Sequence, residues 1–145
     1  MREETEGLSV LLFEIEGQGF CVDADVVTSV IAWREPAPFP GGHPRIRGIL
    51  LDGNEVITIL HHPFARSPLE TPPRRIVLCD TGEGRIGLAV HRTFEIENVS
   101  GSPKHGQALE TPRGSSTYAA AAELLKGPLP AGEATSSKPE RSPGR

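Results

Sequence analysis

The chain has 145 residues, enough for one domain of ordinary size and not for two independent cores. Hydrophobic content of 37% and aromatic content of 5% are modest beside 16 glycines and 14 prolines, the balance of a turn-rich domain with some sequence that does not fold. A formal net charge of −4 argues against nucleic acid or an anionic lipid surface as partner and leaves proteins or small molecules.

Met1-Arg2-Glu3-Glu4-Thr5-Glu6 is acidic and leads into a strand-like run, whereas an export signal needs a basic start and an apolar stretch. No segment approaches the roughly 20 apolar residues of a membrane span. The sequence therefore predicts a cytoplasmic protein without membrane insertion, residues 1–7 being an N-terminal extension. Leu8 to Glu16 carries Leu8, Val10, Leu12, Phe13 and Ile15, close to period two, and reads as a strand. Gly17-Gln18-Gly19 turns it into a second short strand, Phe20-Cys21-Val22-Asp23. Val26, Val27, Val30 and Ile31 recur at helical spacing, which predicts a short amphipathic helix capped by Asp23 or Asp25, ending near Ala32 and lying against the sheet.

Trp33 to Pro44 is a connector punctuated by prolines at 36, 38, 40 and 44, each biasing the preceding residue to extended geometry. Trp33 is expected to cover the sheet edge. Two aliphatic runs come next, split by Asp52-Gly53-Asn54, a hairpin signal. Ile46, Ile49, Leu51, Val56, Ile57, Ile59 and Leu60 are expected to supply much of the core. Pro63 to Arg74 reads as a loop. Arg75 to Asp80 and Arg85 to Val90 flank Thr81-Gly82-Glu83-Gly84 as a further hairpin, with Val90 to Ile96 continuing the strand. Ala108 to Glu110 and Ser116 to Ala119 form a weak last hairpin about Thr111-Pro112-Arg113-Gly114, and Ala120 to Lys126 a short helix stopped by Gly127-Pro128. From residue 128 to 145 there is almost nothing to bury, so that tail is expected to be disordered.

Several motifs suggest chemistry. Gly82-Glu83-Gly84-Arg85-Ile86-Gly87 fits a dinucleotide fingerprint, but Leu88-Ala89-Val90 after it is more strand, not the helix whose N-terminus holds a pyrophosphate. Adjacent His61 and His62, with His43 and His91 elsewhere, raise a metal site. Neighbours on a strand point to opposite faces, however, and no cysteine or carboxylate stands at ligand spacing. His61 and His91 instead read as polar surface groups ending neighbouring strands. Cys21 and Cys79 lie in separate apolar runs as reduced core thiols. No serine or cysteine has a base beside it in a nucleophilic signature, so neither enzyme nor cofactor is indicated. What remains is surface for protein contact: Arg47, Asp52, Gly53, Asn54 and Glu55 on hairpin edges and tips, where a rigid β scaffold presents residues at little ordering cost.

Pro40-Gly41-Gly42-His43-Pro44-Arg45-Ile46-Arg47-Gly48, leading through a hairpin into a long aliphatic strand, resembles the centre of a CheW-like domain, the adaptor fold of bacterial chemosensory arrays. The order strand, tight turn, strand, short helix before it and Val90-His91-Arg92-Thr93-Phe94-Glu95-Ile96 after it extend the likeness to residues 8–127. The resemblance implies an all-β fold with minor helix, two five-stranded SH3-like barrels in one domain. It also implies a non-enzymatic adaptor coupling a chemoreceptor's cytoplasmic tip to the regulatory domain of a CheA-like histidine kinase. It adds Gly48, Val90 and His91 to the candidate partner-binding residues. The chain departs from the family pattern where Gly53 replaces the usual tip arginine, Thr58 a proline, and His61 and His91 aspartates. Those departures imply that at least one of the two contacts, receptor or kinase, is weakened or rebuilt. The alternatives are an accessory adaptor, as in a gliding-motility system, that binds receptor but not kinase, and an unrelated small β-barrel binding a ligand or peptide.

Overall fold

The computed structural model describes residues 7–40, 45–65 and 69–124. The predicted tail over 128–145, residues 1–6 of the extension and His43 lie outside them. Among the described residues ten strands form two curled five-stranded sheets. The first comprises β1 (Leu8–Ile15), β2 (Gln18–Asp23), β8 (Arg92–Val99), β9 (Ala108–Thr111) and β10 (Gly114–Ala119), in the order β8-β1-β2-β10-β9. The second comprises β3 (Val27–Ala32), β4 (Ile46–Asp52), β5 (Glu55–Leu60), β6 (Arg75–Asp80) and β7 (Arg85–Val90), in the order β3-β6-β7-β5-β4. The expected fold class of two five-stranded, barrel-like subdomains is what the chain adopts.

Each sheet has one parallel contact, β10 with β2 and β5 with β7, and its outer strands are drawn together by side chains and connectors. In the first barrel the Arg113 guanidinium lies 4.0 Å from the Phe94 ring and its Nε 3.1 Å from Glu95, joining the β9–β10 turn to β8. In the second, Ala37 and Ile49 exchange backbone hydrogen bonds of 2.9 and 2.8 Å, so the proline connector after β3 covers the free edge of β4.

The near-continuous apolar runs have a physical cause. Val10 and Leu12 face the interior of the first barrel with Cys21 and Tyr118, while Leu11, Phe13 and Ile15 face the other way. On that side they join Phe20 and Val22 against Leu60, Val77, Cys79, Ile86, Leu88 and Val90 of the second barrel. The second barrel's own interior holds Leu50, Ile57, Ile59, Ile76 and Leu78. Strands buried on both faces lose the apolar-polar alternation of a half-exposed sheet. The largest of the three apolar clusters is therefore the one the barrels share.

Several expectations are corrected. Residues 27–32 form strand β3, antiparallel to β6, and only Ala24–Val26 makes a 3₁₀ turn. A register shift between Val27 and Ser29 inserts a residue, so β-branched side chains that alternate across the sheet acquire a helix-like spacing in the sequence. Asp23 makes no side-chain cap hydrogen bond; its Oδ1 accepts from the Tyr118 hydroxyl at 2.5 Å. The segment after β7 does not continue that strand. The chain bends at His91 and passes into the other barrel as β8. At the C-terminal end only Ala121–Glu123 forms a 3₁₀ turn, and Leu125 and Lys126 lie outside the described residues. Leu51 and Val56, expected in the core, are 67% and 53% exposed, because the pairing Leu51↔Val56 puts both on the outer face while Leu50↔Ile57 fills the inner one.

Candidate protein-docking site

The β4–β5 hairpin turns through Gly53-Asn54, a two-residue loop with Gly53 at φ +63°, a left-handed conformation that glycine adopts without steric cost. Asp52 and Glu55 flank it as a register pair. Between them reaches Arg85, the first residue of β7: its Nη2 lies 2.8 Å from Asp52 Oδ2 and 2.7 Å from Glu55 Oε1, and its Nε donates to Glu55 at 3.0 Å. Hydrogen bonds to Glu55, then to Asp52, hold the guanidinium well above its usual range. The sequence places a glycine at the tip and no fork of donors; the fold brings one from the neighbouring hairpin. Arg85 is hidden in the sequence as a spacer of the glycine motif, and only the pairing of β5 with β7 brings it to the tip.

Beside this polar lock stands the exposed pair Leu51 and Val56. Val56, Thr58, Thr81, Glu83, Arg85 and Ala122 line a groove of about 290 Å³. Arg47, on β4, lies with its guanidinium carbon 4.9 Å from the centre of the Trp33 ring, and Trp33 packs on the second barrel's core. Asp52, Gly53, Asn54 and Glu55 thus come together with Leu51, Val56 and Arg85, while Arg47 is set back along β4 against Trp33.

The other three predicted residues are not tip surface. Gly48 is buried, and a Cβ there would collide with the Ala37 carbonyl oxygen, so it is the glycine that lets the connector cross β4. Val90 is fully buried in the shared core and offers a partner nothing. His91 knits the barrels together: its Nδ1 accepts the Glu16 N–H at 3.1 Å, and its Nε2 lies 2.7 Å from Thr71 Oγ1. Glu16, in the β1–β2 turn at φ +50°, accepts the amides of Glu70 and Thr71 at 2.6 and 2.8 Å. Those bonds, with Thr71 foremost, hold its carboxyl below the usual range. A glutamate beside Gly17 in a two-residue turn is the one sequence signal for this junction.

His61 and His91 do come after the neighbouring strands β5 and β7, but both are half-buried. Burial, then the Arg47 charge, lowers the His61 pKa. His62 accepts the amides of Phe64 and Ala65 through Nδ1 at 3.0 Å each and sits edge-on to Phe20 at 5.1 Å. Across Phe64, His105 Nδ1 accepts the Ala120 amide at 3.0 Å. Burial is the main cause lowering both of their pKa values. Among the described residues no three His, Cys, Asp or Glu side chains are grouped to hold a metal. Gly87 of the glycine motif lies inside β7, where a Cβ would meet Ile59 Cδ1 at 2.5 Å, so it serves core packing. Cys21 and Cys79 are free and buried, their thiols pushed up to about 11 and about 12 by burial.

No curated protein matches the sequence. The fold is similar to that of a solved scaffolding protein, TtCheW from Thermoanaerobacter tengcongensis, with a TM-score of 0.68 at 14% identity over 83% of this chain and 88% of that one. Residues 9–128 match the model of the CheW-like domain. With nearly all of its strands inside that match, this chain belongs to the CheW-like domain family, whose members are non-enzymatic scaffolds and adaptors.

Proposed function

We propose that this chain is an adaptor of bacterial chemotaxis or motility signalling, joining the cytoplasmic tip of a chemoreceptor to the regulatory domain of a CheA-like histidine kinase by noncovalent docking. Family membership and the likeness to a scaffolding protein support the class of function. The observation that carries the docking site is the exposed pair Leu51 and Val56 beside the Arg85–Asp52–Glu55 lock. An apolar anchor next to a rigid charged fork is the composition of a protein–protein contact, because the anchor supplies affinity and the fork fixes register. Among the described residues no helix is long and apolar enough to cross a membrane.

Burying one such aliphatic side chain is worth about 1.5–3 kcal/mol, so Leu51→Glu and Val56→Glu are each expected to weaken partner binding by roughly tenfold or more. The melting temperature should stay where it is. Unchanged affinity for receptor and kinase alike would remove the site.

The departures from the family pattern favour a second reading, an accessory adaptor that holds the receptor and binds the kinase poorly. His61 and His91 stand where carboxylates would, and His91 is engaged with Glu16 and Thr71. Binding to the receptor tip with none to the kinase domain is the outcome that selects it.

A further inference from the structure

Away from the tip, the crossover from β7 to β8 meets the start of β6 in a hollow of about 490 Å³ lined by Arg74, Arg75, His91, Arg92 and Thr93. The placement is dictated by pairing. Arg75 is in register with Val90, the Arg74 amide donates to the Val90 carbonyl at 2.9 Å, and Arg92 pairs with Glu14 across β1. Three arginines therefore line one concavity of a chain whose net charge is −4.

Their charges are poorly compensated. Arg74 and Arg75 have no acidic partner among the described residues, and the one side-chain hydrogen bond, from Arg75 Nη1 to the Arg74 carbonyl at 3.2 Å, neutralises neither. Arg92 forms a long ion pair with Glu14 at 3.9 Å and lies 5.1 Å from the centre of the Phe94 ring, with 67% of its side chain exposed. The Glu16 carboxylate is occupied by the amides of Glu70 and Thr71 and does not line the hollow. Both ring nitrogens of His91 face Glu16 and Thr71, so His91 supplies a wall and the arginines supply the donors. Like charges held close together raise the energy of the free protein, and an anion lowers it.

We infer that this hollow binds a small multivalent oxyanion carrying closely spaced phosphoryl groups. Guanidinium forks match phosphate oxygens two at a time. The walls carry no Phe, Tyr or Trp on which a base would stack, and the His91 ring is held by Glu16 and Thr71, so recognition is of the phosphate chain and not of a nucleoside. They also lack the apolar anchor that gives a protein partner its affinity. The site is independent of the adaptor reading, since the purified chain has to bind alone.

The test is calorimetry in a phosphate-free buffer with inorganic pyrophosphate as probe, ADP and an aspartate-rich peptide as comparators, at low and high salt. Expected is saturable one-to-one binding of pyrophosphate that weakens as salt rises. ADP should bind no more tightly, which separates a free phosphate chain from a nucleotide. Arg74→Gln with Arg75→Gln, both exposed, should weaken binding at least about tenfold, the loss of charge-assisted hydrogen bonds. Arg34→Gln, outside the hollow, should leave it unchanged, with thermal melts confirming that each variant folds. No saturable binding, equal binding by the double variant, or tighter binding of the acidic peptide would overturn the inference.

Discussion

Val90 and Gly48, read from the sequence as docking surface, and Leu51, read as core, have different physical roles. Val90 is fully buried among Leu88, Val77 and Phe13, so Val90→Arg forces a guanidinium into the shared core. It is expected to cost at least about 3 kcal/mol in urea unfolding, because a buried unpaired charge keeps its full desolvation penalty. Leu51→Glu, at 67% exposure, should change stability by less than about 0.5 kcal/mol in the same assay. Gly48→Ala puts a methyl group against the Ala37 carbonyl and Pro36, with an expected loss of about 1–3 kcal/mol from overpacking. Equal stability of the Val90 and Leu51 variants would contradict this assignment of faces. The residue types at these positions were legible in the sequence, but their exposure was not. A period of two turns over with one step of register, and Leu50-Leu51 or Val56-Ile57 offers two apolar choices at each step.

At the scale of elements, the hairpins were legible because their turns carry conformational constraints, Gly53-Asn54 for β4–β5 and Pro112-Arg113 for β9–β10. β3 was not, because its bulge imitates a helical period. The junction around Phe20, Phe64, His62 and His105 was also hidden, since it joins β2, the segment after β5 and the loop before β9. It makes a pH prediction. Both histidines accept backbone amides through Nδ1, and burial lowers both pKa values from an ordinary 6.5. A base whose pKa is lower folded than unfolded leaves the unfolded chain holding more protons as pH falls below 6.5, so stability is complete above that value and declines beneath it. Arg45 pushes His62 and His105 the same way, while Glu16 opposes for His62 and Glu123 for His105. The urea midpoint is expected to fall between about pH 7.5 and about pH 5.5, with a smaller fall in His105→Gln. A midpoint constant or rising over that interval would remove this role for the junction.

The whole molecule is two barrels around one shared core, and that connectivity sets how it unfolds. β1 and β2 belong with β8, β9 and β10, so the second barrel is an insertion between strands of the first. Leu11, Phe13 and Phe20 of one pack with Leu60, Leu88 and Val90 of the other, which predicts a single cooperative transition. The chain carries one tryptophan and one tyrosine, Trp33 on the second barrel and Tyr118 in the first. Trp33 fluorescence and Tyr118 near-ultraviolet dichroism should therefore trace the same urea midpoint, and separated midpoints would mean independent barrels. The docking role is tested most directly by a paired calorimetric titration of the purified chain against the cognate receptor tip and the cognate kinase regulatory domain. Saturable binding to the receptor tip at micromolar strength, about −8 kcal/mol, is the predicted result, with the kinase domain bound as well in an ordinary coupling role. Binding to neither would contradict the account.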